Sequence, residues 1–544
     1  MGVRTSNMTD YESAYRDFRL EVPERFNFTS DVIDRWAEDE GKLALAWADD
    51  DETREDFTFA HFRDASKRCA NALRSLGLAA GDRALIVAPR IPEWWEAMLG
   101  CIRAGIVPMP GTALLTPKDI VYRVNAAGAA AAFVDPANLE KVWNIRDQCP
   151  TLKHVIVLGE SRNGAYSFVS LLASQPNVDN AAKTKSSDPC LLYFTSGTTG
   201  NQKMVLHTHA SYPLGHTATG KFWLDLTPGD LHWNLSDNGW AKAAWSSLFG
   251  PWLCGAAIFV HNATGKFDAA QCLRMLAHYP VTTFCAPPTV YRLLVLEPLD
   301  AFKPKALRHC VAAGEPLNPE VIETWKRHTG LTIRDGYGQT ETTLLCANFP
   351  PMDVRPGSMG RPTPGFDVQV IDDGGAVLPP GKEGDIAVRV KPQRPVGLFQ
   401  EYWKNPDEMK KSFVGDWYIT GDRALRDQDG YLWFVGRADD VINSASYRIG
   451  PFEVESALLE HAAVAESAVV GAPDPLRGEI VKAFVILAPG HTPSDELVAE
   501  LQEHCKKLTA PYKYPREIEF VSELPKTISG KIRRVDLRKR ARQT

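Results

Sequence analysis

The sequence predicts an α/β architecture, with a large N-terminal domain of layered α/β subdomains, a β-rich subdomain, and a small α+β C-terminal domain. Three observations point there. Short apolar runs alternate with segments of helical spacing from Asp82 to Gly159, and again between residues 256 and 336. Around Arg361 the pattern changes to period-two alternation with Asp-Gly-Gly at a turn. Beyond Asp440, helices and strands mix in a shorter unit that ends in a basic tail.

Taken in order, ALIVA (84–88) is a short apolar run, and IPEWWEAMLGCIRAG after it has helical spacing ended by Gly105. IVPMP, the helical TPKDIVYRVNAAG, AAAFVD and HVIVLG follow. Apolar strands separated by helices imply parallel pairing with both sheet faces covered. AAIFV (256–260), VTTFCA (281–286), HCVAA (309–313) and TIRDG (332–336) continue the series. FDVQVIDDGGAVLPPGKEGDIAVRV reads as a hairpin, and GYLWFVGRADD adds a strand. A helix over 451–460, strands VAESAVVGA and VKAFVILA, and a helix over 493–507 complete the chain. Its last forty residues carry twelve Lys or Arg against four Asp or Glu.

At 544 residues the chain exceeds one compact core and implies about three or four structural units. A net charge of −6 argues against general nucleic-acid binding, which wants a basic footprint. No apolar run reaches the roughly 20 residues of a membrane helix, and Asp10, Glu12 and Asp17 are residues a mitochondrial presequence avoids. Ten scattered cysteines without a CxxC read as reduced, buried hydrophobes. The expectation is a cytoplasmic enzyme with small-molecule partners, no nucleic acid and no transmembrane segment; a homo-oligomeric state stays open.

The stretch YFTSGTTGNQKM (193–204) carries the first chemistry. LLYF leads into Thr195, Ser196, Gly197, Thr198, Thr199 and Gly200, with Lys203 closing the run. Glycines let successive N–H groups converge on an anion, hydroxyls add donors, and the lysine adds full charge. The spacing fails the Walker pattern, because Gln202 stands where a glycine should be and Met204 follows the lysine. By itself such a loop is either a phosphate cradle or an ordinary Ser/Thr/Gly surface loop.

YFTSGTTGNQKMV, DGYGQTE (335–341), YITGD (418–422), GRADDVINSASYRIGPFEVE (436–455) and PKTISGK (525–531) occur in the order and spacing of the adenylate-forming superfamily, and the chain is identified as resembling it. SDNGWAKAAWSSLFGPWLCGAAIFVH (236–261) and TAPYKYPREIEF (509–520) are most similar to the medium-chain acyl-CoA synthetase branch. The resemblance implies ATP, Mg²⁺ and CoA as cofactors and substrates. It implies a domain of residues 1–437 with the β-rich part about 355–437, a hinge at 438–440 around Asp439, and a small mobile domain of 441–544. Thr195 to Gly200 and Lys203 would hold the leaving phosphates. Glu341 would help hold Mg²⁺. Gly314, Glu315 and Pro316 would pack on adenine, and Asp335, Gly336, Tyr337, Gly338, Gln339 and Thr340 would line the nucleotide. Asp422 and Arg437 would meet the ribose. Lys531, rather than Lys526, would reach the α-phosphate and the carboxylate. Arg448 would meet ATP in one state and CoA in the other. Ala445, Ser446, Tyr447, Arg477, Lys506, Tyr512, Lys513 and Tyr514 would face CoA.

By the same resemblance Trp240, Trp245, Phe249 and His207 would frame the acyl pocket, with His209, Ala286 and Pro287 nearby. Aromatic walls suit an acyl chain or a flat ring, so a medium-chain fatty acid is the first expectation and a benzoate- or salicylate-like acid the second. Position 446 is commonly Gly in this family and is Ser here, which leaves a separate carrier protein as an alternative acceptor to CoA. A nucleotide-binding protein without chemistry is disfavoured, since Lys203, Glu341, Asp422, Arg437 and Lys531 are all present.

Overall fold

The computed structural model describes residues 5–162, 164–195, 202–445, 447–526 and 531–542. Its apolar runs become strands where both faces can be covered. Arg83–Val87 lies in a five-stranded parallel sheet between Val107–Gly111 and Ala131–Val134, followed by His154–Val157 and Tyr166–Ser167. The connecting helix Pro92–Ala104 starts with proline in its first turn and stops at Gly105, whose φ of 75° is the left-handed C-cap that glycine favours. Pro117–Ala127 is set by a capping box between Thr116 and Asp119 and ends at Gly128.

The alternation read from Asp82 has an earlier member, the 17-residue helix Phe59–Ser75, capped by Thr58. Its buried face (Phe59, Phe62, Ala65, Cys69, Leu73) has helical spacing and packs against Pro92–Ala104. The approach is close at Gly100, where a Cβ would lie 2.3 Å from the Cys69 sulfur.

A second sheet of nine strands holds five consecutive parallel pairings, through Leu43–Ala48, Ala257–His261, Leu231–Asn234, Thr283–Ala286, His309–Ala313 and Ile333–Gly338. Antiparallel strands Arg54–Thr58, Leu344–Ala347 and Arg361–Pro362 close its two sides. Between the two sheets sits a core that includes Phe28, Trp94, Trp95, Phe249 and Trp252. The Trp252 indole is satisfied there by donating to the Ala44 carbonyl at 3.1 Å.

The hairpin Pro189–Thr195 and Lys203–Thr208 forms a small sheet with Glu401–Tyr402. The expected period-two unit is an antiparallel sheet of Val368–Ile371, Glu383–Arg389, Trp417–Arg426, Phe413–Val414 and Leu432–Arg437. The last sheet combines Ile442–Ser444, Tyr447–Ile449, Val464–Asp474, Gly478–Leu487 and Glu517–Phe520, with helices Pro451–Leu459 and Asp495–Leu508. Its apolar clusters are built from residues of 442–541. The basic tail contains a helix, Arg534–Ala541, which inserts Leu537 and Ala541 into one of those clusters. Among the described residues no helix is long and apolar enough to cross a membrane.

Gly100→Ala is expected to destabilise the fold by about 1–3 kcal/mol, the usual cost of overpacking a tight core. Lowered thermal and urea midpoints, with unaltered expression of a folded chain at low temperature, would register it.

Candidate active site

The strands Thr283–Ala286, His309–Ala313 and Ile333–Gly338 end side by side, and in an open α/β sheet the crevice beyond such carboxyl ends is where ligands bind. Gly314, directly after one strand, takes φ of 109°, which turns the chain sharply away. Glu315 then accepts hydrogen bonds from the Thr289 hydroxyl at 2.9 and 3.0 Å and from Arg292 at 3.3 Å. Pro316 follows it at the part-exposed rim.

Asp422 faces the end of the strand Ile333–Gly338. Its Oδ2 accepts from the Tyr337 hydroxyl and from Gln339 Nε2, both at 2.6 Å, while Arg437 Nε lies 3.5 Å from Oδ1. The same Gln339 amide donates to the Thr420 carbonyl at 2.9 Å. Burial raises the Asp422 pKa above the ordinary carboxylate value, and Arg437 opposes that shift. Asp335 is also raised by burial, although the Gly336 and Leu317 amides donate to it. Gly336 and Gly338 keep this strand end narrow: a Cβ on Gly336 would lie 2.5 Å from the Trp223 ring, and on Gly338 2.4 Å from the Thr343 carbonyl.

At the hairpin, Thr195 is the register partner of Lys203. Ser196, Gly197, Thr198, Thr199 and Gly200, the loop expected to cradle phosphates, lie outside the described residues, as does Ser446. The Lys203 ammonium pairs with Glu408 and sits 5.1 Å from the Tyr402 ring centroid. Tyr402 in turn donates its hydroxyl to Glu341 Oε1 at 2.9 Å. Burial raises the Glu341 pKa, with the Tyr402 hydrogen bond opposing it. One Glu341 oxygen is thus engaged while the carboxylate keeps lone pairs for a hard cation. This fits Mg²⁺, which takes one or two carboxylates and completes its shell with phosphates and water. Among the described residues no group of three or more His, Cys, Asp or Glu could hold a metal without such help.

Three cations converge from other elements. Arg437 comes from Leu432–Arg437. Lys242 donates to the Ala313 carbonyl at 3.1 Å, and burial lowers its pKa. Lys531 lies within electrostatic range of both Asp422 and Lys242. Sequence reasoning missed Lys242, Tyr402 and Glu408. Lys242 stands two residues beyond Trp240 inside a motif already quoted, so its position was the available signal.

The expected pocket residues divide. Trp240 and Trp245 are partly exposed, and Trp245 stacks on His216 with centroids 5.8 Å apart. Phe249 belongs to the core, edge-on to Phe28 at 4.8 Å and to Tyr212 at 5.8 Å. His207 offers no open ring nitrogen: Nε2 donates to the Thr340 carbonyl at 2.7 Å, and Nδ1 accepts from the Ser211 hydroxyl at 3.0 Å. It braces the turn that carries Thr340 and Glu341. His209 is buried beside it.

In the C-terminal unit, Tyr447 stacks on Tyr512 at 4.1 Å, and Lys506 lies 4.4 Å from the Tyr514 centroid. Lys513 pairs with Glu453. Ala445, at φ of 56°, donates its N–H to the Arg477 carbonyl at 2.7 Å. Arg448 is exposed and faces the charge of Asp385. The Asp439 carbonyl accepts from Arg538 at 3.3 Å, and Arg538 also pairs with Asp440.

The family profile described as AMP-binding enzyme matches residues 33–403, and that described as AMP-binding enzyme C-terminal domain matches residues 453–531. The chain is 49% identical to human acyl-coenzyme A synthetase ACSM3, mitochondrial, over 99% of this chain and 93% of the relative. It is 49% identical to mouse acyl-coenzyme A synthetase ACSM5, mitochondrial, over 96% and 91%. Among solved structures, the anthranilate CoA ligase AuaEII in complex with anthranoyl-AMP superposes with a TM-score of 0.88 at 32% identity, covering 96% of this chain and 98% of that one. A benzoate CoA ligase from Burkholderia xenovorans LB400 gives 0.83 at 30% identity, covering 94% and 100%.

Burial holds His207 and His209 down to about 4, and His232 and His309 to about 3, from an ordinary value near 6.5. Protons therefore bind the unfolded chain more readily as pH falls below 6.5, so stability is full above that value and declines toward pH 4. The urea midpoint is expected to drop across this window, and His207→Gln to flatten the drop.

Proposed function

The chain belongs to the AMP-binding enzyme family, and from that membership we propose that it is an ATP-dependent acyl-CoA synthetase (an acid–thiol ligase) acting on a medium-chain fatty acid. A carboxylate is a poor electrophile because attack on it must expel an oxide. In the first half-reaction a carboxylate oxygen attacks the α-phosphorus of ATP. The bond from that phosphorus to the bridging oxygen breaks, and pyrophosphate leaves. The resulting acyl-AMP is a mixed anhydride. In the second half-reaction the CoA sulfur attacks the acyl carbon, AMP leaves with the oxygen, and the thiol proton is lost to solvent.

The observation that carries the reading is that Glu341 feels the charges of Lys203 and Arg437, and Asp422 those of Arg437 and Lys531, near the sheet's carboxyl ends. Asp422 is assigned to the ribose hydroxyls, Arg437 to the sugar or phosphate, and residues 335–340 to the nucleotide. Lys203 and the loop before it are assigned to the leaving phosphates. Glu341 would help hold Mg²⁺, which would supply neutralisation of the phosphate charge. Lys531 is assigned to the oxygens on which charge develops, where a pre-placed donor is worth about 2.7–4 kcal/mol. Tyr447, Arg448, Arg477, Lys506 and Tyr512 to Tyr514 are assigned to CoA. Asp439 is assigned to a hinge that lets the 441–544 unit present first Lys531 and then its CoA face.

A second reading, an aromatic acid, is supported by the part-exposed Trp240 and Trp245 and by the likeness to ligases named for anthranilate and benzoate. The proposed compartment is the cytoplasm, although the curated relatives are named as mitochondrial.

An ATP-dependent pyrophosphate-release panel of fatty and aromatic acids, with and without CoA, tests the proposal. Medium-chain acids should be fastest and full turnover should need CoA. CoA-independent release with a separate carrier as acceptor would contradict it. Lys531→Ala should slow acid-dependent pyrophosphate exchange by about 10²–10³-fold while sparing thioester formation from supplied acyl-AMP.

A further inference from the structure

Glu408 has no place in the scheme above, yet it holds the lysine on which the phosphate grip depends. Both partners are fixed by one small sheet. Lys203 opens the strand Lys203–Thr208, and Tyr402 pairs with Val205 in that strand, while the Trp403 amide donates to Met204 at 2.8 Å. Three residues on, the helix Pro406–Lys411 begins. Asn405 caps it by accepting from the Glu408 amide at 3.2 Å, and the Ser412 hydroxyl donates to the Glu408 carbonyl at 2.9 Å. The Glu408 carboxylate is therefore delivered by backbone on both sides, with only a quarter of its side chain exposed. The Lys203 ammonium lies between it and the Tyr402 ring, whose hydroxyl reaches Glu341.

A lysine ammonium has three donors and can serve a carboxylate and a phosphate together. A carboxylate beside a bound polyphosphate is nonetheless a like charge, and like charges juxtaposed in a partly desolvated site oppose binding. Glu408 thus acts in two senses. It keeps the ammonium aimed along the Tyr402–Glu341 line, and it subtracts from the affinity of any anion that Lys203 holds. For a product that must leave before the next half-reaction, the second effect is useful.

We propose that Glu408 is a positioning residue that competes with the leaving pyrophosphate for Lys203 and so limits how tightly that product is held. The proposal rests on the assignment of Lys203 to the phosphates. It is tested by calorimetric titration of magnesium pyrophosphate into the full chain and into Glu408→Gln, Lys203→Ala and the double variant, with thermal unfolding run on each. Glu408→Gln should bind pyrophosphate about tenfold tighter, the scale of one close like-charge contact removed. The KM for ATP should fall with it while kcat does not rise, and the gain should vanish in the Lys203→Ala background. Should Glu408→Gln fail to fold, Glu408→Asp, which withdraws the carboxylate by one methylene, should still tighten binding. Unchanged or weaker pyrophosphate binding by a folded Glu408 variant would overturn the proposal while leaving the ligase reading intact. A wild-type chain that binds no pyrophosphate would overturn both.

Discussion

A buried carboxylate, Asp422, ties the parallel sheet to the antiparallel unit, and the shape of the crevice depends on that tie. Tyr337 and Gln339 reach it from the end of Ile333–Gly338, and Arg437 reaches it from the neighbouring strand of its own sheet. An isolated buried carboxylate would be expensive, and it is tolerated because two donors and one guanidinium face it. The consequence is rigidity around a carboxylate that we propose accepts from the nucleotide sugar. Burial raises the Asp422 pKa above the ordinary carboxylate value, and Arg437, Tyr337 and Gln339 oppose that shift.

Around that tie the charges are sorted by element. The chain is acidic overall, at −6, but Lys203, Lys242, Arg437 and Lys531 are each brought to the crevice by a different segment. Electrostatic stabilisation of developing charge is the largest lever available to such a site. It needs cations placed beforehand on stiff supports. Lys203 on a paired strand, Lys242 anchored to the Ala313 carbonyl, and Arg437 at a strand end meet that need. Lys531 directly precedes Ile532, the bridge partner of Lys526, on a unit with its own sheet and core.

Much of this was legible in the sequence where local physics decides the outcome. ALIVA became Arg83–Val87 because an apolar run that short can be satisfied only inside a covered sheet. The turn at Asp372 to Gly375 formed where Asp-Gly-Gly permits it, with the Gly375 amide donating to the Asp372 carbonyl and Ile371 bridging Val377. Of the motif residues, Tyr337 and Gln339 both donate to Asp422, while Glu341 accepts from Tyr402. What was not legible was created by distance along the chain. Glu408 is an ordinary first-turn glutamate until a partner 205 residues earlier is folded against it. Tyr402 sits in a two-residue strand that propensity cannot announce. His207, expected to frame the acyl pocket, has both ring nitrogens engaged, by Ser211 and by the Thr340 carbonyl 133 residues away.

In the proposed reaction this crevice directs a carboxylate oxygen onto the α-phosphorus of ATP. Turnover of a medium-chain acid labelled with ¹⁸O in its carboxylate, followed by mass spectrometry of the nucleotide and the released phosphates, tests it most directly. One ¹⁸O atom is expected in AMP per turnover and none in pyrophosphate. Label in inorganic phosphate, with ADP as the nucleotide product, would mean attack at the γ-phosphorus and would contradict it.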